Sequence, residues 1–230
     1  MADHLSDQAQ LDALKKWWRS YGVNLLLVVA IGLGGWYGWN FWQDRNKDQA
    51  HEASIIFMAM LDAVSVWDQN GSEESAAQVS AHAETLKKIA PSSQYARYGA
   101  LTIARLALAE EDYDNAAAEL GWVLDEAEDD AMKALVRLRL AGVEFARKNN
   151  EKALELLDAS HPAPFVALYA ELKGDILAAQ GDNGAARQAY QVALDALNDG
   201  DMQVQALLEL KINEITPVAD NGTVSGEGEA

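Results

Sequence analysis

No cysteine occurs in the chain. That excludes a disulfide, a cysteine-held metal and a thiol nucleophile. The four histidines, His4, His51, His82 and His161, are scattered, and none stands four residues from another or inside a carboxylate cluster of ligand spacing. HExxH, GxxxxGKS/T, GxSxG and the EF-hand loop are all missing, and with them four common routes to enzyme or metal chemistry. Basic residues are scarce: 18 Lys and Arg stand against 36 Asp and Glu, a net charge of −18. Such a chain repels nucleic acid and anionic lipid headgroups. The acidity serves solubility first and could also draw basic segments of a client. We expect no catalytic, cofactor-binding or metal-binding residue, and a chain that is not an enzyme.

Charge is missing altogether from Ser20 to Gln43, SYGVNLLLVVAIGLGGWYGWNFWQ. A helix rises about 1.5 Å per residue, so a stretch of this length crosses a hydrocarbon core of about 30 Å. Trp17, Trp18 and Tyr21 stand before its apolar middle, Leu25 to Ile31, while Trp36, Tyr37, Trp39, Phe41 and Trp42 stand after it. Trp and Tyr favour the two membrane–water interfaces. A buried soluble helix would have to hide all these rings. A cleaved signal peptide would need a small-x-small site after the apolar run, which is not there. The sequence therefore predicts an uncleaved signal anchor over 20–43, with Trp18, Trp36, Trp39 and Trp42 as interface anchors. Gly34 and Gly38 form a GxxxG with Gly35 beside them, a face on which another spanning helix could pack closely. Glycine is common in spanning helices in any case. Lys15, Lys16 and Arg19 lie before the run, and Arg45 and Lys47 after it. The clustered basic residues place the N-terminus in the cytoplasm and the rest across the membrane.

Residues 1–43 carry three acidic and three basic side chains, so the whole −18 belongs to residues 44–230. Leu11, Leu14 and Trp18 fall on one helical face, a short lead-in to the anchor. Beyond Trp42 the pattern is helix after helix, with no sustained β-type alternation. Ile56, Ala59, Met60, Ala63, Val64 and Trp67 repeat with helical spacing up to about Asp68. Gln69 to Ser72 reads as a turn. Further helices are expected over 75–90, 93–110, 114–127, 130–148, 151–159, 164–180, 184–198 and 201–214. Pro91 ends one helix, and Ser92 or Ser93 caps the next. The acidic runs at 110–114 and 125–130 suit helix N-termini, which favour carboxylates. Residues 216–230 have little to bury and are expected to be disordered.

Three second helices align on Ala116, Ala153 and Ala186, spaced 37 and 33 residues apart. That is close to the 34-residue tetratricopeptide period. Ala104, Ala141 and Gly174 hold the matching small position on the first helices. Antiparallel helices approach closely only where such small residues sit at the crossing. Leu120, Leu157 and Tyr190 then fill the groove toward the next pair. The third repeat fits the consensus best. The second carries Glu144 where an aromatic is preferred. The fold class expected is all-α, a single N-terminal transmembrane helix followed by a tetratricopeptide-like solenoid of helix hairpins over 44–215. A non-repeat helical bundle is the other arrangement this pattern allows.

Taken together, QLDALKKWWRSYG, the Gly-rich anchor ending GWYGWNFW, DQAHEASIIFMAMLDAV, ELKGDILAAQGDNGAARQAYQVAL and LLELKINEI resemble the YfgM family, the ancillary subunit of the SecYEG translocon. The resemblance runs from about Gln8 to Ile215. It implies a single-pass protein of the bacterial inner membrane, with its N-terminal segment in the cytoplasm and a periplasmic tetratricopeptide-like domain. It also implies association with SecYEG and with the periplasmic chaperone PpiD, and a part in handing translocating client polypeptides to periplasmic chaperones. A link to the Rcs stress regulator through residues 1–19 belongs to the same implication. A membrane-anchored scaffold for another envelope-assembly complex is the alternative that the fold alone leaves open.

Overall fold

Capping residues and glycines cut this chain into helices at regular intervals. The computed structural model describes the backbone of residues 3–198 and 200–215, while the side chains of 3–14, 20, 23–26, 28, 29, 42, 44, 46 and 48 lie outside the description. The expected interface anchor Trp42 and the expected tail 216–230 thus fall outside the described residues. Among those residues there are nine α-helices and no strand: α1 (Asp3–Asn70), α2 (Glu73–Ile89), α3 (Gln94–Ala109), α4 (Tyr113–Glu126), α5 (Asp130–Ala146), α6 (Asn150–Leu157), α7 (Val166–Ala179), α8 (Asn183–Asp195) and α9 (Met202–Ile215). A single 3-10 turn over Ala163–Phe165 leads into α7. The expected helix from 164 therefore starts as a tighter turn, set by Pro162 and Pro164. The lead-in expected before the anchor is not a separate element but the start of α1.

Local chemistry explains the breaks. Gly71 adopts φ 62°, which only glycine takes without strain, and ends α1. The Ser72 hydroxyl then accepts from the Ser75 amide at 3.3 Å. After Pro91, the Ser93 hydroxyl accepts from the Ala96 amide at 3.1 Å. Asp112 and Asp129, from the two acidic runs, accept from the amides of Asn115 and Met132 at 3.1 and 2.8 Å. The carboxylates thus satisfy amides that helix N-termini leave without partners.

The repeat is written most clearly in the backbone. Glu111, Lys148 and Gly181 all have positive φ, at 58°, 66° and 83°. They share the 37- and 33-residue spacing of the aligned alanines. In each turn the next residue's amide reaches back to the helix: Asp112 to Ala107, Asn149 to Glu144 and Asp182 to Leu177, at 2.8, 2.8 and 3.0 Å. These are three copies of one Schellman closure. Only the third copy has glycine at the left-handed position.

The chain divides into two compact units, one up to Ile55 and the other from Ile56. In the second, α2 packs on α3, α3 on α4, α4 on α5 and α5 on α6, and α7, α8 and α9 continue the stack. Ala104, Ala116 and Leu120 are buried in one core, Ala141, Ala153 and Leu157 in the next, and Ala186 and Tyr190 in a third. Tyr190 shares its core with Leu208 of the following helix and also lies over Gly174 within its own pair.

Among the described residues, Gln49–Asn70 is long and apolar enough to cross a membrane by length and composition. From Ile56 onward, however, that stretch is part of the repeat domain. Met60 and Ala63 are buried, and the Phe57 ring lies 5.1 Å from that of Tyr95. One face of it packs on the repeat domain, while Ile55, Met58 and Val66 stay exposed. The backbone of 20–43 is helical throughout, but several of its side chains lie outside the description.

Candidate functional site

Helix α3, QYARYGALTIARLALA, has more apolar surface than one neighbour can cover. Ala96, Ala100, Ile103, Ala104 and Ala107 are buried between α2 and α4. A second row, Tyr98, Leu101, Arg105 and Leu108, follows a 3–4–3 spacing on another side of the helix. Tyr98 and Leu108 remain 46% and 40% exposed, well above what a core position shows.

This row lines an open groove of about 690 Å³. Phe57 and Leu61 reach it from α1, Met132, Leu135 and Arg139 from α5, and Leu120 from α4. The first helices of three consecutive hairpins thus contribute to one apolar trough. Beyond Tyr98 and Met132 it meets a smaller depression of about 360 Å³, bordered by Arg97 and Asp129. Another depression, about 680 Å³ between α8 and α9, is bordered mainly by amides and carboxylates such as Gln191, Asp195 and Glu209. It offers little apolar surface for a partner to cover, so the α1–α3–α5 groove is the stronger candidate.

Its two arginines differ. Arg105 places Nη2 2.5 Å from Asp68 Oδ1, and its guanidinium lies 5.3 Å from the Trp67 ring. It ties the end of α1 to α3. Being exposed, the pair is worth at most about 1 kcal/mol. Arg139 is exposed and makes no ion pair among the described residues.

Charged networks hold the hairpins that shape this surface. Lys87 of α2 donates to both carboxylate oxygens of Glu119 on α4, at 2.8 and 3.0 Å. Glu144 is fully buried and accepts from Lys152 at 2.6 Å, Asn149 at 2.8 Å and Arg147 at 3.1 Å. Burial alone would raise its pKa; the donated hydrogen bonds and the charges of Lys152 and Arg147 outweigh that and hold it below the usual value. Asn149 consequently makes no side-chain cap on α6, unlike Asp112 and Asp182 in the other two repeats. Arg147 also meets Asp114 of the preceding pair at 2.6 Å. Farther along, Lys211 binds Glu171 and Asp175 at 2.7 and 2.8 Å, and Asp175 accepts from the Tyr190 hydroxyl at 2.8 Å. Burial, together with Asp175, pushes the Tyr190 phenol well above its ordinary range.

The residues singled out in the sequence fall in two places. Ala104 borders the groove and the core beneath it. Ala116, Ala141, Ala153 and Ala186 are fully buried in the packed cores, and Gly174 is buried beneath Tyr190. Gly34, Gly35 and Gly38 lie open on α1, with nothing within 4 Å of where a Cβ would stand. Trp18, Trp36 and Trp39 are exposed. The Trp18 ring covers Gly22, one turn on, where a Cβ would come within 3.0 Å of it. None of these residues except Ala104 belongs to the groove. Its main residues were not singled out by the sequence, although the second 3–4–3 row on α3 was there to be read.

A family model described as a tetratricopeptide repeat-like domain matches residues 15–217. Proteins named ancillary SecYEG translocon subunit are similar along nearly the whole chain. That of Neisseria gonorrhoeae is 30% identical over 215 residues, covering 94% of this chain and 100% of that protein. That of Haemophilus influenzae is 27% identical with the same coverage, 94% and 100%. That of Escherichia coli is 27% identical over 211 residues, covering 92% and 97%.

Proposed function

The chain belongs to the family of ancillary SecYEG translocon subunits, tetratricopeptide repeat-like proteins, and from that premise we propose that it is an anchored, non-enzymatic accessory subunit of the translocon. In this reading the uncharged segment Ser20–Gln43 spans the inner membrane with its N-terminus in the cytoplasm. The repeat domain then stands in the periplasm beside the channel. There it receives segments of exported polypeptides and passes them to periplasmic chaperones, PpiD among them.

The observation that carries this reading is the apolar groove across α1, α3 and α5. Stacked hairpins expose the faces of their first helices as a continuous recognition surface. A trough with exposed Tyr98, Leu61 and Leu108 suits side chains of an unfolded or helical segment. The anchor's open glycines, Gly34, Gly35 and Gly38, suit packing against other spanning helices.

Purification of the full-length chain from membranes in mild detergent, after gentle crosslinking, tests the reading. SecYEG and a periplasmic chaperone should be retained. Their absence, with a different envelope complex retained instead, would establish the scaffold alternative.

A further inference from the structure

The groove carries one charge that its apolar lining does not explain. Arg105 is already neutralised by Asp68. Arg139 has no such partner among the described residues, in a chain where carboxylates outnumber basic groups 36 to 18. Carboxylates are plentiful here, yet none of the described ones pairs with it. An arginine fork on the edge of an apolar trough is a ready acceptor site for a carboxylate, which it binds through two parallel hydrogen bonds.

The shape narrows the occupant further. The groove joins a second depression at Tyr98 and Met132, so a bound chain can continue past it. That suits an internal segment, and hence a side-chain carboxylate rather than a chain terminus. A volume of about 690 Å³ accommodates only a few large side chains. A second copy of this chain is a poor occupant, because two bodies of net charge −18 repel each other. The same field disfavours acidic runs and leaves a lone carboxylate in an otherwise neutral or basic segment.

We propose that the groove docks an internal segment of a partner polypeptide in which two or three large apolar side chains are accompanied by a single Asp or Glu that pairs with Arg139. This rests on the reading of the groove as a polypeptide-binding surface. Seating the apolar side chains removes water from around the guanidinium and strengthens the pair.

The test uses the full-length chain in detergent micelles and three labelled helical peptides. The peptides share two leucines and a phenylalanine and differ at one position: Glu, Gln or Lys. Fluorescence anisotropy should show the Glu peptide binding about tenfold more tightly than the Gln peptide, as a charge-assisted hydrogen bond allows. Arg139→Gln should abolish that difference, and Arg139→Glu should shift the preference to the Lys peptide. Arg139 is exposed, so neither change threatens folding. Leu108→Ser should weaken all three peptides alike.

Equal binding of the three peptides, or a Glu preference that survives Arg139→Gln, overturns the proposal. So does a Leu108→Ser variant whose only effect is an altered sedimentation mass, since a second copy would then be the occupant. Equal peptide binding with SecYEG still retained removes the carboxylate preference alone. A Glu preference without SecYEG retention supports the carboxylate site and removes the translocon assignment.

Discussion

A methyl group on Gly174 would overlap the ring of Tyr190, meeting Cδ1 at 2.5 Å and Cζ at 2.9 Å. The two residues are sixteen apart, the same separation as Ala104 from Leu120 and Ala141 from Leu157. Where the second helix presents leucine, the first can carry a methyl. Where it presents tyrosine, the first gives up the methyl. Each hairpin thus solves one packing problem with a matched pair.

Gly174→Ala should therefore destabilise the domain by about 1–3 kcal/mol, the range for overpacking. Gly174→Ala combined with Tyr190→Leu should lose less than the two single changes added together, because it recreates the pairing of the first two hairpins. Denaturant midpoints of the four variants measure this. Simple additivity would contradict the pairing.

The left-handed turn residues make a second case. Glu111 and Lys148 hold positive φ without being glycine. Glu111→Gly or Lys148→Gly should raise stability by up to about 1 kcal/mol, and Gly181→Ala should lower it by a similar amount. A fall in thermal midpoint for Lys148→Gly would show that its side chain contributes more than the backbone conformation costs.

Much of this architecture is legible in the sequence, for physical reasons. Helix ends follow from Gly71, Pro91, Ser93 and the acidic turns, whose chemistry is local. The repeat follows from small residues that must recur at every crossing. The groove does not, because Tyr98, Leu101 and Leu108 have the same apolar character and helical spacing as core residues. Sequence marks α3 as apolar on two sides but cannot say which side is covered. Glu144 stands out as a departure from consensus. Its burial among Lys152, Asn149 and Arg147 depends on the closing turn, which three-dimensional packing alone reveals. The stretch 49–70 shows the converse, a helix hydrophobic enough to pass for a membrane span although its Met60 and Ala63 are packed in the repeat domain.

Glu144 makes stability depend on acid. Its folded pKa lies below the ordinary 4.5. Between the two values the unfolded chain binds the proton and the folded one does not. The stabilisation is therefore complete above about pH 4.5 and is lost as pH falls through the folded value. Glu144→Gln should cost about 1–3 kcal/mol at pH 7 and flatten this part of the acid decline. Urea midpoints between pH 7 and 3 measure both, and an unchanged acid slope would contradict the assignment.

The anchor is tested at its centre. Ile31 lies near the middle of the uncharged segment and is 72% exposed on α1. Ile31→Arg should cost about 2.5–3.5 kcal/mol of insertion and release part of the protein from carbonate-washed membranes. A reporter fused after Ile215 should be active in the periplasm. Full retention of the variant in membranes would contradict the span, and a reporter active in the cytosol would contradict the orientation.

The most direct measurement is photo-crosslinking in native membranes during export. A photoreactive residue at Leu108, in the groove, should give adducts with SecYEG, its associated chaperone or exported polypeptides. The same residue at Val192, exposed on α8 and outside the groove, should give few. Adducts absent at Leu108, or equal at the two positions, would contradict a groove that works beside the channel.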